Sequence, residues 1–278
     1  MTLLRDHELA HAFDHASRTY DRLTALSPGY RADLLRSARR LRLPRDGAGL
    51  HLLDLGCGTG ASTRALLRVA PRARITAVDA SSGMLRRALA KPWPDGVRFL
   101  HLSAEELATA GEGPFDAVFA AYLFRNVTDP DGVLRTVRTL LRPGGRLAVH
   151  EYSLGGSPAH RALWTAVCQG VIIPAGTLTG DRDLYHHLWR SVLDFDTADA
   201  FTGRLARAGF DDARALPLAG WQTGITHTFV ARNGSATTAP ETAPETASVT
   251  ASVTAPETTR APAPQAASPA APAVEAGR

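Results

Sequence analysis

A glycine-rich turn that follows an apolar segment is the feature that most constrains how this chain folds. The apolar segment runs from Leu50 to Leu55, and the turn is Gly56-Cys-Gly-Thr-Gly60. Such a segment suits the first strand of a parallel sheet, because that strand is covered on both faces. Glycine at every second position removes the Cβ atoms, so the backbone can bend sharply and approach a ligand at the start of the next helix, predicted from Ala61 to Ala70. We therefore expect a small ligand on this turn.

The glycine spacing alone leaves the ligand open. Gly56, Gly58 and Ala61 also fit the fingerprint of NAD and FAD folds, and a purely structural turn is a third reading. Asp54 precedes the first glycine by two residues, where a carboxylate suits a cationic amino acid better than a pyrophosphate. S-adenosylmethionine carries an ammonium and a sulfonium and no phosphate, so it is the predicted cofactor. The predicted contacts in this stretch are Asp54, Gly56, Cys57, Gly58, Thr59 and Gly60.

Strand-like and helix-like segments alternate after the turn, as in a doubly wound α/β fold with a mostly parallel sheet. The later predicted strands are Arg74–Asp79, Val97–Leu102, Phe115–Ala121 and Arg146–Tyr152, and a helix is predicted from Asp131 to Leu141. The carboxyl ends of such strands form the crevice in which ligands bind.

Residues at these strand ends complete the predicted cofactor site. Asp79 ends the second strand about twenty residues after the glycines, where a nucleoside ribose needs a hydrogen-bond acceptor. Met84 is expected against the adenine, or in the core, and Ser103 and Ala104 follow the third strand, where an adenine edge is read. The predicted contacts beyond the glycine turn are Asp79, Ala80, Met84, Ser103, Ala104, Ala121 and Tyr122.

Composition divides the chain into three parts. Residues 233–278 contain no aromatic residue, Leu or Ile and are built mainly from Ala, Pro, Thr, Glu and Ser. Such a segment cannot bury enough apolar surface to offset its ordering entropy, so we predict a disordered tail. Residues 1–45 are predicted to form a helical cap, with helices over Asp6–Tyr20 and Gly29–Leu43. Residues 46–232 are predicted to form the cofactor-binding domain.

The charge pattern argues against a nucleic-acid partner. The formal charge is +4, and Lys91 is the only lysine. The arginines are scattered and many flank predicted helices, as Arg36, Arg39 and Arg40 do. Solvated helix faces account for this pattern better than a nucleic-acid groove.

Cysteine and apolar patterns indicate a cytoplasmic protein without a metal. Cys57 and Cys168 show no pairing pattern, which points to a reducing compartment. The apolar stretch from Leu163 to Leu178 is too short to span a bilayer. His186, His187 and His227 have no metal-ligand spacing, so no metal is predicted.

Two further motifs are more specific than the glycine turn. Phe124-Arg-Asn-Val-Thr128 precedes Leu140-Leu-Arg-Pro-Gly-Gly-Arg-Leu-Ala-Val-His-Glu-Tyr-Ser153. Together they resemble the methyltransferases that C-methylate the quinone ring in ubiquinone and menaquinone biosynthesis, over about Tyr20 to Arg232. The resemblance implies the class I methyltransferase fold with a seven-stranded sheet. Its last hairpin would pair Ala213–Leu218 with Thr223–Ala231.

The sequence departs from that family on the side expected to bind the methyl acceptor. The leader from Tyr20 to Arg31 is one residue shorter than the family pattern and lacks its Asn and His. The segment Asp183–Ser191 resembles the family's substrate-side helix, but His187 replaces a usual Tyr. Ser103-Ala104 stands where the family usually has Asp-Ala. These differences leave the acceptor open more than the reaction.

Carbon methylation of a hydroxylated aromatic ring needs a hydroxyl that loses its proton. A cation beside that oxygen favours the phenolate, and Arg125 is the candidate. Asn126 is expected to orient a second oxygen and Tyr20 to close the pocket. The alternative for Arg125 is an ion pair with an acidic neighbour at the strand end. His150 is predicted to be a packed core histidine, and Glu151 matches the family's glutamate.

The predicted function is thus methylation of a small hydrophobic quinone, hydroquinone or polyphenol at carbon. One alternative is O-methylation in secondary metabolism with His150 or His187 as base, and another is a binding protein that has lost transfer. The stretch Leu163–Leu178 is expected to line the acceptor pocket, or to be a core or dimer helix. We expect at most peripheral membrane contact and keep a homodimer as an option.

Overall fold

The computed structural model describes residues 8–17, 29–154, 156–220 and 222–234 of the 278-residue chain. All of them belong to one compact unit, Met1–Thr237. The predicted disordered tail lies outside the described residues, except for its first two positions. Tyr20 and most of the predicted turn between the first two helices also lie outside them, and the three predicted parts of the chain stay a prediction.

The strands of the described residues form one seven-stranded sheet in the order β3-β2-β1-β4-β5-β7-β6. Strands β1 to β5 run parallel, and β7 lies antiparallel between β5 and β6. This arrangement confirms the predicted doubly wound sheet. The strands are β1 His51–Leu55, β2 Arg74–Asp79, β3 Val97–His101, β4 Phe115–Ala121, β5 Leu141–Tyr152, β6 Phe210–Pro217 and β7 Thr226–Asn233.

Helices cover both faces of this sheet. The first, α1, comprises residues 8–17. The others are α2 Tyr30–Arg39, α3 Ala61–Val69, α4 Ser82–Leu89, α5 Pro130–Leu140, α6 Pro158–Val167, α7 Ile173–Leu178, α8 Arg182–Asp194 and α9 Ala198–Arg207. A π-helical turn, Cys168–Ile172, joins α6 to α7.

Strand β1 contributes to two cores, one on each side of the sheet. Leu53 and Leu55 pack with Phe115 and Phe124 in one cluster. Leu52 packs with residues of α2 and α3 in the other. Because both faces of β1 are buried, an apolar run without alternation is what this position requires.

Strand β5 begins earlier than predicted. Leu141 pairs with Phe115, and regular pairing resumes only where Arg146 meets Ala117. The Pro143-Gly-Gly145 turn, predicted to separate helix from strand, is therefore an irregular part of the strand itself. The helix α2 is shorter than predicted and ends at Arg39, because the chain turns there and Arg42 has a φ of 49°.

The last strand extends beyond the predicted domain boundary at residue 232. The Asn233 side-chain amide donates to the carbonyl oxygens of Leu141 at 2.8 Å, Arg138 at 3.1 Å and Arg142 at 3.3 Å. These bonds tie the end of β7 to the turn between α5 and β5. Asn233 is therefore the last residue of β7, one residue beyond the predicted end of the domain.

Candidate active site

A cavity of about 820 Å³ lies at the carboxyl ends of β1, β2, β3 and β4. This volume falls in the range of cofactor and substrate pockets. Strand order reverses at β1 and β4, so the loops that follow them diverge and leave a crevice. The predicted site residues that line it are Gly56, Gly58, Asp79, Ala80, Met84, Ser103, Ala104, Ala121, Tyr122, Arg125 and Asn126.

The three glycines of the turn have different structural roles. A Cβ at Gly58 would meet no atom within 4 Å, although its φ of +54° favours glycine. A Cβ at Gly60 would lie 2.6 Å from the Trp93 ring, and one at Gly56 would lie 3.1 Å from Leu123. Gly58 therefore leaves open space beside the cavity for a ligand to approach the backbone, whereas Gly60 serves internal packing.

The Asp79 carboxylate holds the glycine turn and lines the cavity. One oxygen accepts from the Gly58 N–H at 2.7 Å and the other from the Ser81 N–H at 2.8 Å. Burial raises the pKa of Asp79, and these two hydrogen bonds act against that rise. Each carboxylate oxygen can accept a second hydrogen bond, which fits the two hydroxyls of a ribose.

Asp54 lies beneath the turn and does not line the cavity. Its Oδ2 accepts from the hydroxyls of Ser62 at 2.8 Å and Thr63 at 2.5 Å, so it fixes the start of α3 to β1. Burial raises the pKa of Asp54 to about 7. Strand alternation turns this side chain towards α3, and the predicted cofactor contact of Asp54 stays a prediction.

Cys57, Thr59 and Gly60 are also buried and do not line the cavity. The Cys57 side chain packs against Ala77 and Leu85. The Thr59 carbonyl accepts from Lys91 Nζ at 2.7 Å. The three residues thus support the turn from within, and their predicted cofactor contacts stay predictions.

Helix α1, which lies in the predicted helical cap, covers one side of the cavity. Leu9, Phe13 and Asp14 line it. The Asp14 carboxylate accepts from the Ser81 hydroxyl at 2.5 Å and from the Gly83 N–H at 2.7 Å, so it caps the start of α4.

Ser103 is largely occupied by a local cap. Its N–H donates to Glu106 at 2.7 Å, and its hydroxyl accepts from the Glu106 N–H at 3.1 Å. This reciprocal pair is a capping box. The residue lines the cavity, but the N–H and hydroxyl expected to read an adenine edge already bond Glu106.

Arg125 forms a buried ion pair at the end of β4. Its Nη1 donates to Glu151 Oε1 at 2.6 Å, and the side chains are 7% and 0% exposed. The guanidinium carbon also lies 5.3 Å from the ring centre of Tyr122 and 5.6 Å from that of Tyr152. Burial raises the pKa of Glu151, and the Arg125 charge opposes that rise. The alternative predicted for Arg125 is thus present, and the residue lines the cavity as well.

Asn126 is held by bonds at both ends of its amide. Its Nδ2 donates to the Tyr122 carbonyl at 2.9 Å, and its Oδ1 lies 3.1 Å from Nε2 of His187. An amide oxygen only accepts, so this His187 nitrogen carries the proton. Burial, followed by the Arg125 charge, lowers the pKa of His187 to about 4. A neutral His187 therefore orients Asn126.

A chain of hydrogen bonds, here called the relay, links Tyr122 at the end of β4 to Thr228 of β7 and Arg40 after α2. The Tyr122 hydroxyl bonds His150 Nε2 at 2.8 Å, and His150 Nδ1 bonds Ser37 at 2.8 Å. Ser37 bonds Thr228 at 2.6 Å, and Thr228 accepts from Arg40 at 2.8 Å. Burial lowers the pKa of His150 to about 3, so it is a neutral core histidine.

Tyr122 has a backbone conformation that favours glycine, with a φ of 57°. Its N–H donates to the His150 carbonyl at 2.8 Å, and its ring stacks on Tyr30 with centres 5.8 Å apart. A bulky residue in this conformation costs about 1–3 kcal/mol and persists only where its surroundings hold it. Such strain beside a cavity is typical of functional sites.

The stretch Leu163–Leu178 does not line the cavity. Its inner side chains Trp164, Cys168 and Ile173 form a separate cluster with Tyr185 of α8. The segment therefore packs into the core through its inner face, and the expectation that it lines this pocket is corrected. No helix of the described residues is long and apolar enough to cross a membrane.

A family model describes most of this chain. The ubiE/COQ5 methyltransferase family matches residues 1–230. The ubiquinone/menaquinone biosynthesis C-methyltransferase of Syntrophotalea carbinolica is 34% identical over 212 residues, which cover 75% of this chain and 88% of that protein. The demethylmenaquinone methyltransferase of Thermus thermophilus is 32% identical over 200 residues, covering 71% and 90%.

Solved structures support the fold. A SAM-dependent methyltransferase of Thermotoga maritima aligns with a TM-score of 0.58 at 18% identity, covering 81% of this chain and 99% of that one. At this identity the likeness concerns the fold alone. It agrees with the doubly wound sheet predicted from the glycine turn and the strands after it.

Proposed function

Because the chain belongs to the ubiE/COQ5 methyltransferase family, we propose that it methylates a ring carbon of a hydroquinone in quinone biosynthesis. Family membership makes the chain an S-adenosylmethionine-dependent methyltransferase. The acceptor and the carbon atom are the proposal, drawn from the names of the relatives. The observation that carries it is Arg125, a buried cation that lines the cavity at the end of β4.

On the cofactor side of the cavity, formed by the ends of β1, β2 and β3, backbone and one carboxylate do the binding. Gly58 would let the ligand approach the turn, and Asp79 would accept from the ribose hydroxyls. Met84, Ser103 and Ala104 would contact the adenine. Helix α1 would exclude water from above. When bound, S-adenosylmethionine supplies an electrophilic methyl group with a neutral thioether as leaving group, and the ring carbon that takes the methyl would release its proton to water.

On the acceptor side, where Arg125 and Asn126 line the cavity after β4, Arg125 would favour the deprotonated hydroxyl of the acceptor. Glu151 neutralises part of the guanidinium charge. Its hydrogen bond to Arg125 also holds the planar guanidinium in one orientation. Asn126, oriented by His187, would bind a second oxygen. The role proposed for Tyr20 concerns a residue outside the described ranges.

Methylation of an oxygen, the alternative from the sequence, is not favoured. The Syntrophotalea carbinolica relative is named a C-methyltransferase. A base would have to be His150 or His187, and their pKa values of about 3 and 4 make both weak. Both rings are also engaged in hydrogen bonds. The third reading, a binding protein without transfer, is not favoured either.

The test is the position of the transferred methyl group. The full chain would be incubated with S-adenosylmethionine and a short-chain 1,4-naphthohydroquinone, and the product analysed by mass spectrometry and proton NMR. We expect one added methyl on carbon with both hydroxyls intact. A methyl ether, or no product with a hydroquinone while a simple phenol is methylated, would contradict the proposal. A cytoplasmic location, a homodimer and the lack of a nucleic-acid partner stay predictions.

A further inference from the structure

The helical segment that follows β5 has an outer face without charge. Residues 162–180 contain no Asp, Glu, Lys or Arg. Leu163, Val171 and Leu178 are 47%, 65% and 90% exposed. In the described part of the chain they are three of the four exposed large hydrophobic side chains, and Leu89 on α4 is the fourth. Exposed apolar side chains are normal singly, but a group on one helix marks an interaction surface.

These side chains lie on one stripe, here called the outer face. Leu163, Val171, Pro174 and Leu178 are exposed and Val167 is half-buried, and they follow one another at steps of three or four along α6, the π-helical turn and α7. The opposite face carries Trp164, Cys168 and Ile173, which are buried. The helix cannot rotate to hide its outer face without exposing that core.

Hydrogen bonds also fix the segment in place. Trp164 Nε1 donates to the Trp189 carbonyl at 3.3 Å, and Trp189 Nε1 donates to the Thr165 hydroxyl at 3.2 Å. Arg161 donates to the Leu193 carbonyl at 2.8 Å. These bonds hold α6, and Ile173 of α7 is buried in the cluster with Tyr185, so the outer face belongs to packed helices.

A second copy of the chain does not suit this surface. A single helical stripe offers on the order of a few hundred Å² of apolar surface, whereas a specific dimer buries about 800 Å² on each partner. Arg161 and Arg182, both exposed, bound the stripe at its two ends, with exposed Asp183 beside the latter. An uncharged apolar stripe with cations at its ends matches a helix that lies in the plane of a lipid surface.

We propose that the outer face inserts between the headgroups of a lipid bilayer. The packing of the inner face also supports the proposal. Trp164 packs on Tyr152 with ring centres 4.8 Å apart. Tyr152 packs on Tyr122 at 4.9 Å, and the Arg125 guanidinium lies over both rings. One column of aromatic rings thus connects the bilayer-facing helix to the acceptor side.

The experiment is sedimentation of the full chain with vesicles of phosphatidylcholine, alone or in equal parts with phosphatidylglycerol. The variant carries Leu163→Ser, Val171→Ser and Leu178→Ser, and Leu89→Ser is the matched control. We expect the unaltered chain and the control to bind, and the triple variant to bind on the order of 100-fold more weakly. Leu178→Ser alone, at the most exposed of the three positions, should also weaken vesicle binding. This single variant tests the proposal if the triple variant has a low Tm.

Two outcomes would overturn the inference. One is equal vesicle binding by all variants, or none by the unaltered chain. The other is a dimer in light scattering that the triple variant splits, since the face would then bind a second copy. Methylation of a water-soluble short-chain hydroquinone should be equal in the unaltered chain and the triple variant. If neither methylates it, the proposed function fails while the vesicle result still decides the inference.

Discussion

The cofactor side and the acceptor side of the cavity are built in different ways. On the cofactor side, backbone N–H groups and one carboxylate, Asp79, shape the site within a short stretch of chain. On the acceptor side, side chains from distant elements hold one another, as Arg125 with Glu151 and Asn126 with His187 do. The first construction tolerates change in neighbouring side chains, whereas the second requires its members together.

This difference predicts how each side responds to a substitution. Damage to a site made of backbone and one carboxylate should be local and should change affinity. Damage to a set of coupled, buried side chains should change both catalysis and stability, because each lost partner leaves another buried group unsatisfied.

The largest effect is expected for Arg125→Ala. The variant should lower kcat by about 10²-fold or more, as loss of a preorganised electrostatic group does, with little change in cofactor Kd. It also leaves Glu151 buried without its partner, which should reduce the free energy of unfolding by about 3–5 kcal/mol. Steady-state kinetics, calorimetry and thermal melting measure the three quantities.

Two further variants control this result. Arg125→Lys should recover only part of kcat, because a point charge cannot copy a planar fork. Arg135→Ala removes a surface arginine that is 65% exposed and 3.7 Å from Asp129, and should change little. Normal kcat with a raised cofactor Kd in Arg125→Ala would move this residue to the cofactor side and break the comparison.

The second effect concerns Asp54 and the pH dependence of stability. Its pKa is about 7 in the folded chain and 3.8 in the reference state, so folding takes up a proton between these values. The free energy of unfolding should therefore fall as pH rises from about 4 to 7, by up to roughly 4 kcal/mol, and should not fall further on this account above 7.

Asp54→Asn should flatten this fall, because an amide oxygen can still accept from Ser62 and Thr63 but carries no charge. Urea unfolding of the chain without cofactor at several pH values measures the slope. Asp95→Asn, at an exposed position, is the matched control. Equal slopes in all three proteins would show that Asp54 is ionised in the fold and that the cofactor side rests on a buried charge.

The third effect is a loss of cofactor affinity in Asp79→Ala. Removal of charge-assisted hydrogen bonds worth about 1.5–3 kcal/mol should weaken binding roughly ten- to a hundredfold. At saturating cofactor, kcat should stay close to normal, the reverse of the Arg125 pattern. Asp79→Asn keeps an acceptor for the Gly58 N–H but loses the charge. Comparison of the two variants therefore distinguishes the ribose contact from the support that Asp79 gives to the turn. Unchanged affinity in a folded Asp79→Ala variant would remove the ribose assignment.

The smallest effects are expected at the C-terminus. Truncation after Gly234 should leave kcat and Tm nearly unchanged, since residues 235–278 carry no aromatic residue, Leu or Ile. Truncation after Arg232 also removes Asn233 and its three hydrogen bonds, and should lower stability by about 1–2 kcal/mol. Paired melting curves distinguish the two cut sites, and equal Tm values would contradict the boundary at Asn233.

The cofactor side was largely predictable because its signals are local. The glycine turn, the strand that precedes it and Asp79 lie within thirty residues, and each follows from backbone requirements of a parallel sheet. The direction of the Asp54 side chain was the part that the sequence analysis did not predict. A strand of period two turns it away from the cavity, towards hydroxyls at the start of α3, and those hydroxyls stand only eight and nine residues further on.

The acceptor side was predictable only where a family motif marks it. Arg125 and Asn126 were identified in that way, but their partners Glu151 and His187 lie 26 and 61 residues further along the chain. The link between Ser37 and His150 spans 113 residues. Nothing in local composition or spacing indicates such pairs, because they arise only when β4 lies beside β5 in the sheet and α2 and α8 pack near them.

The relay also affects the pairing register of β7. This strand enters antiparallel between β5 and β6 and is buried along most of its length, so apolar patterning alone distinguishes poorly between alignments one residue apart. His150 and Thr228 are direct partners across β5 and β7. A slip of one residue would carry the Thr228 hydroxyl to the other face of the sheet and leave Ser37 without it, at about 1–3 kcal/mol for each buried group left unpaired. Ser37 on α2 and His150 on β5 thus favour one pairing register of β7 against β5.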